Sequence, residues 1–205
     1  MTEDMAHNAS YDSLWNRNSA YSPYRSDSTD RLAIFLDVLN VLTKLHEDYP
    51  DAEFDFRKML MDLIGVRKCV AAIAVDGTFY EDEERRSKIQ CMLKDSGFRP
   101  DLVPASNNSG KQEGTDVELA LLAYKFALER RCDCITLVTG DGDFKVLVKR
   151  LQEEGVIVNV VSFDESLSRC LKRTADSVFL LNAMPLRRMR PANGSMEVNR
   201  WPFTS

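Results

Sequence analysis

Asp141 and Asp143 stand two residues apart in CITLVTGDGDFKVLVKRL (residues 134–151), with Gly142 between them. An apolar, β-branched run precedes them and a pattern of helical spacing follows, so they fall where a buried strand gives way to a helix. Asp37 closes a second apolar run, RLAIFLD (31–37), with Asn40 three residues on. Asp116 opens a third, DVELALLAYKFALERR (116–131). If these places meet, four carboxylates share one crevice. They would repel one another, and some would be forced neutral unless a positive ion sat among them. An all-oxygen set of this kind favours a hard divalent cation, Mg²⁺ or Mn²⁺. Such a cation activates water and stabilises charge developing on a phosphoryl group.

The elements needed to position these residues are legible along the chain. RLAIFLD and KCVAAIAVD (68–76) read as strands buried on both faces, VLNVLTKLHEDY as a helix ended by Pro50, and DAEFDFRKMLMDLIG as a helix stopped by Gly65. YEDEERRSKIQCMLKDSG (80–97) follows as a helix and FRPDLVP as a weak edge strand. The polar loop 105–115 leads to helix 116–131, then strand 133–139, helix 143–154, strand VIVNVVSF, helix ESLSRCLKRTA and strand SVFLLN. This alternation predicts an α/β fold, a doubly wound, mostly parallel sheet covered on both sides, as one domain. In such a sheet ligands bind beyond the carboxyl ends of the strands, where strand order reverses, and the four aspartates are expected at that edge. Residues 1–29 read as a disordered tail, 30–182 as the domain, and 183–205 as a flexible tail with Arg187, Arg188 and Arg190.

Composition narrows the function. With 44% hydrophobic and 29% charged residues the chain is ordinary for a soluble protein, and no window approaches the ~18 apolar residues of a spanning helix. No secretory signal is recognisable at the N-terminus, and five scattered cysteines form neither a disulfide framework nor a zinc site, so a cytoplasmic, reducing location is expected. Cys132 and Cys134 should share one sheet face by alternation. A net charge of −5 excludes a coat of bulk positive charge for nucleic acid, but not a local basic surface. Two histidines, His7 and His46, make histidine-dependent triads improbable.

Each aspartate alone has a plainer explanation. Asp at a helix start is often an N-cap, and Asp-Gly is a turn pair. Independent caps, however, have no reason to converge on one edge. AVDGTF (74–79) lacks the nucleophile of the phosphatase signature DxDGT, since Ala74 stands in its place, and reads as a turn. Asp176 reads as a turn or cap residue. Lys145 and Lys149 share a helical face and could meet a phosphate backbone, although solvation explains them equally well.

The segments IFLDVLN, GTDVELAL, LVTGDGDF, KVLVKRLQEEGVIVNVVSF and SLSRCLKRTADSVFLL, spanning residues 31–182, together resemble the NYN domain, the LabA-like branch of the PIN-like nucleases. The resemblance implies a PIN-like α/β/α sandwich, an acid cluster binding Mg²⁺ or Mn²⁺, and cleavage of RNA phosphodiester bonds, with Asp37, Asn40, Asp116, Asp141 and Asp143 in the acidic-site roles. Two positions depart from the family pattern: Glu113 stands where a lysine is common and Leu122 where a further aspartate is common. Both departures bear on metal affinity. Lys111 could stand in for the lysine, and Glu113 could add an oxygen ligand.

The expectation is therefore a metal-dependent ribonuclease acting on single-stranded RNA, with Asp37, Asp116, Asp141 and Asp143 as metal ligands and catalytic residues, Asn40 as a catalytic residue orienting a ligand or water, and Lys111, Lys145 and Lys149 toward substrate. A catalytically inactive RNA-binding or scaffolding module and a small-molecule phosphohydrolase are the alternatives. Protein partners through the tails (Trp15, Tyr21, Tyr24, Trp201), a homo-oligomer and no membrane association complete it.

Overall fold

The computed structural model describes residues 30–50, 52–77, 83–103, 114–181 and 186–188. Along the chain, β1 (Arg31–Asp37) leads to α1 (Val38–Asp48), β2 (Ala52–Phe54), α2 (Phe56–Ile64), β3 (Lys68–Gly77), α3 (Glu83–Asp95) and β4 (Arg99–Val103). Next come α4 (Thr115–Leu128), β5 (Cys134–Val138), a single 3₁₀ turn (Gly142–Phe144), α5 (Lys145–Glu153), β6 (Ile157–Ser162), α6 (Arg169–Thr174), β7 (Ser177–Leu180) and β8 (Leu186–Arg188).

Six strands pair in the order β4-β3-β1-β5-β6-β7, and every pairing is parallel. The central strands are largely apolar because helices cover both faces. Leu32, Ile34 and Leu36 of β1 pack into the layer of α1, α2 and α3, whereas Ala33 and Phe35 pack into the layer of α4, α5 and α6. Full burial of such side chains is worth about 1.5–3 kcal/mol each, which holds the sheet edge rigid enough to present a site. The doubly wound α/β architecture is the one expected.

Several local readings change. Ala52–Phe54 does not begin a helix but forms β2, pairing antiparallel with β8. Asp55 then caps α2, its Oδ1 accepting the Lys58 N–H at 2.8 Å. Residues 186–188 thus belong to a strand, although the sequence assigned them to a tail. Asp76 lies fully buried inside β3 rather than in a turn, because β3 runs on to Gly77 and pairs with β4 there. Cys132 and Cys134 lie in opposite helical layers: β5 begins only at Cys134, so strand alternation does not reach Cys132. Helix α6 spans only six residues and starts after Ser168, whose Oγ accepts the Leu171 N–H. Asp176 is structural, its Oδ2 accepting the Val158 N–H at 2.8 Å. All five cysteines are free thiols, and no helix among the described residues is long and apolar enough to cross a membrane.

Candidate active site

The strand order reverses between β1 and β5. The chain leaves β1 toward β3 and β4, and leaves β5 toward β6 and β7, so their carboxyl ends diverge into a crevice. An open cleft of about 330 Å³ lies there, lined in part by Asp37, Asn40, Lys44, Asp116, Asp141 and Ser166.

Asp37 ends β1 and caps α1, its Oδ1 accepting the Asn40 N–H at 3.1 Å. Its Oδ2 accepts the Thr139 hydroxyl proton at 3.0 Å. Both partners are neutral, and the residue is only 7% exposed. Burial pushes its carboxyl up to about 6, against the lowering effect of those two hydrogen bonds, and the charges of Asp116 and Asp141 push the same way. Asp116 sits in the first turn of α4, and because Gly114 precedes that helix no side chain caps it. Its carboxyl is also raised, first by partial burial and then by Asp141 and Asp143. Asp141 accepts the Asp143 N–H on Oδ1 at 2.9 Å, capping the 3₁₀ turn. Asp143 stands exposed at the rim; it does not line the cleft, yet its charge is felt at Asp116. The four aspartates thus form one electrostatically coupled group, and two of them are caps at the same time.

Asn40 lines the cleft and also holds the backbone. Its Oδ1 accepts the Gly140 N–H at 3.0 Å, tying the chain after β5 to the first turn of α1. Thr139, which the sequence reading passed over, completes the tie: its fully buried hydroxyl donates to Asp37 and accepts the Asp141 N–H at 3.3 Å. The signal available was a hydroxyl residue wedged between an apolar strand and Gly-Asp.

The glycines of the TGDGD stretch are required by close approach. A β-carbon on Gly140 would collide with the Ser166 carbonyl oxygen and come within 2.6 Å of the Ser162 Oγ. One on Gly142 would lie 2.9 Å from both Cys170 Sγ and Ser168 Oγ. The loop after β6 therefore buttresses the acidic turn, and the Ser168 N–H donates to the Gly140 carbonyl at 2.9 Å.

Lys145 and Lys149 are exposed on α5, which packs on α6 with its exposed Lys172 and Arg173. Lys145 follows Asp143 by two residues in the chain. Lys44, on the opposite side of the cleft, is already paired with Asp48 at 3.0 Å and Glu47 at 3.6 Å. Lys111 and Glu113 lie outside the described residues, as do the segment 1–29 and the tail aromatics. Leu122 packs against the apolar core beneath α4, and so supplies no ligand.

The donor set fits a hard divalent cation: carboxylate oxygens, one of them without a cationic bonding partner among the described residues and raised by burial and by its like-charged neighbours. Among the described residues no three His, Cys, Asp or Glu side chains converge into a ready-made cage. Asp37 and Asp141 each accept a backbone amide on one oxygen, which holds them in place.

The NYN domain profile matches residues 31–182. An uncharacterized protein of Methanocaldococcus jannaschii is 26% identical over 150 residues, covering 72% of this chain and 54% of that protein, so the chain spans about half the length of this relative. The crystal structure of a protein of unknown function from Vibrio parahaemolyticus is similar at 29% identity with a TM-score of 0.66, covering 77% of this chain and 96% of that one.

Proposed function

From the chain's membership of the NYN domain family, within the PIN-like nuclease superfamily, we propose that it is a divalent-metal-dependent ribonuclease acting on single-stranded RNA. The observation that carries this reading is the coupled group of Asp37, Asp116, Asp141 and Asp143 at the strand-order reversal, with a buried carboxylate among them that accepts hydrogen bonds from Asn40 and Thr139. Asp37, Asp116 and Asp141 would hold Mg²⁺ or Mn²⁺, with Asp143 at the rim. The bound ion would supply water activation and stabilise charge building on phosphorus.

The chain's own residues do the rest. Thr139 and the Asn40 backbone amide fix the Asp37 carboxylate, and the Asn40 side chain fixes Gly140, so the ligands of β1 and β5 move as one body. Asp141 holds the Asp143 amide, which sets the direction of the 3₁₀ turn. Lys145 and Lys149, with Lys172 and Arg173 beside them, offer an exposed cationic track for a phosphate backbone leaving the cleft. The openness of the cleft suits a polymer better than a small molecule that must be enclosed.

The test is cleavage of end-labelled single-stranded RNA with Mn²⁺, Mg²⁺ or EDTA, comparing wild type with Asp141→Asn. Asparagine keeps the cap on the Asp143 amide while removing the charge. Cleavage that needs the metal and disappears in the variant is expected. Cleavage that persists in the variant, or in EDTA, would sink the proposal.

A second reading, a binding or scaffolding module without chemistry, has one observation in its favour. Leu122 places an apolar side chain into the core where the family often carries an acid. Absence of both cleavage and metal binding in a folded protein would select it.

A further inference from the structure

Helix α4 has an apolar outer face. Val117 and Leu121 are each 60% exposed and Leu128 is 55% exposed, with half-buried Tyr124 between them. Most exposed apolar side chains of the molecule stand singly, as they do on any soluble protein. These four are spaced by four, three and four residues, which places them within one narrow stripe of the helix. The opposite face of α4, with Leu119, Ala123, Phe126 and Ala127, is already buried against the sheet. A helix apolar on both sides is one built to be covered on both sides.

We propose that the stripe is covered by α4 of a second copy of this chain, packed antiparallel about a two-fold axis. The spacing is that of alternating d and a positions, and an antiparallel pair sets a against d. Leu121 then meets the partner's Tyr124, and Val117 meets the partner's Leu128, each contact occurring twice by symmetry. The charges flanking the stripe fit the same register. Glu118 and Lys125 occupy the same flank one heptad apart, and antiparallel packing brings Glu118 of each copy to Lys125 of the other. Parallel packing would set Lys125 against Ala120 and gain nothing. Within one chain Lys125 reaches, among the described residues, Glu129 at 3.9 Å, and both side chains remain substantially exposed, so it can turn to the new partner. Asp116 adjoins Val117 at one end of the stripe. The dimer therefore places the two Asp116 residues at opposite ends of the helix pair, about 20 Å apart along the axis.

Sedimentation velocity of the full chain from about 1 to about 200 µM tests this. The weight-average mass of the wild type should climb from the 23.3 kDa monomer toward twice that value. Leu121→Glu, checked for folding by circular dichroism, should raise the dimer dissociation constant at least about 100-fold, since the buried charge enters two symmetric layers. Glu118→Lys should weaken the dimer about 10-fold, and adding Lys125→Glu should recover it. A wild type monomeric throughout, a dimer indifferent to Leu121→Glu, or a charge reversal that the double variant fails to rescue would each overturn the proposal. So would a Leu121→Glu chain that expands without changing mass, because a segment of the same chain would then be the occupant.

Discussion

Two aspartates sit at opposite ends of the same pair of strands and live in opposite electrostatic surroundings. Asp133 precedes β5 at the amino edge and is clasped by Arg31, at 2.7 Å from Nη2, 3.0 Å from Nε and 2.9 Å from the backbone N–H. Those bonds hold its carboxyl below the usual range. Asp37 ends β1 at the carboxyl edge, is nearly buried, has only neutral bonding partners and is pushed up to about 6. The first is arranged so that its charge stabilises the fold. The second is arranged so that its charge opposes the fold, the pattern to be expected if the proposed cation site is real.

The largest way to break the comparison is Asp37→Asn. Activity should fall roughly 1000-fold, read as kcat/KM on labelled RNA, because an anionic oxygen at the centre of the group is gone. Stability should move the other way. The raised carboxyl of Asp37 contributes stability below about pH 4, and that contribution is lost as pH rises through about 6. Asn40 and Thr139 can still bond the amide, so without added metal the variant should gain up to about 2–3 kcal/mol over wild type above pH 7, shrinking to nothing near pH 4. Urea titrations at several pH values would show this crossover. Equal destabilisation at every pH would mean that Asp37 is a structural cap and nothing more.

Thr139→Val is next. It removes the donor to Asp37 and the acceptor for the Asp141 amide while keeping shape. A fall in kcat of about 10- to 100-fold with KM little changed is expected, as for other groups that orient a metal ligand. With one lowering bond lost, the acid limb of the pH–rate profile should also shift to higher pH. An unmoved limb would show that Thr139 matters only for packing.

At the other edge, Asp133→Ala should leave activity per folded molecule unchanged and lower the thermal midpoint by a few degrees. The effect is modest because the Arg31 and Asp133 side chains are 39% and 45% exposed and solvent screens the pair. Since the Asp133 carboxyl is lowered on folding, this contribution is present above about pH 4 and fades as pH drops through its depressed value. The two aspartates thus predict opposite slopes of stability against pH. The smallest effect belongs to the exposed track: Lys145→Ala with Lys149→Ala should weaken RNA binding several-fold and reduce the salt slope by roughly two, without altering metal dependence.

The apolar runs of β1, β3, β5 and β6 sufficed to read a parallel sheet, and the acids beside strand ends and helix starts sufficed to propose Asp37, Asp116, Asp141 and Asp143 as a group, because burial on both faces and helix caps leave local marks in a chain. The sequence could not reveal that Asn40 and Thr139 spend their side chains holding β1 to β5, since both bonds cross about a hundred positions. Nor could it place β2 against β8, because each is three residues long and has no meaning without the other. The α4 stripe and the coupling among the acids belong to the same class. Spacing is written in the chain, but exposure, desolvation and the sum of nearby charges depend on what the fold brings alongside, and only the tertiary structure decides that.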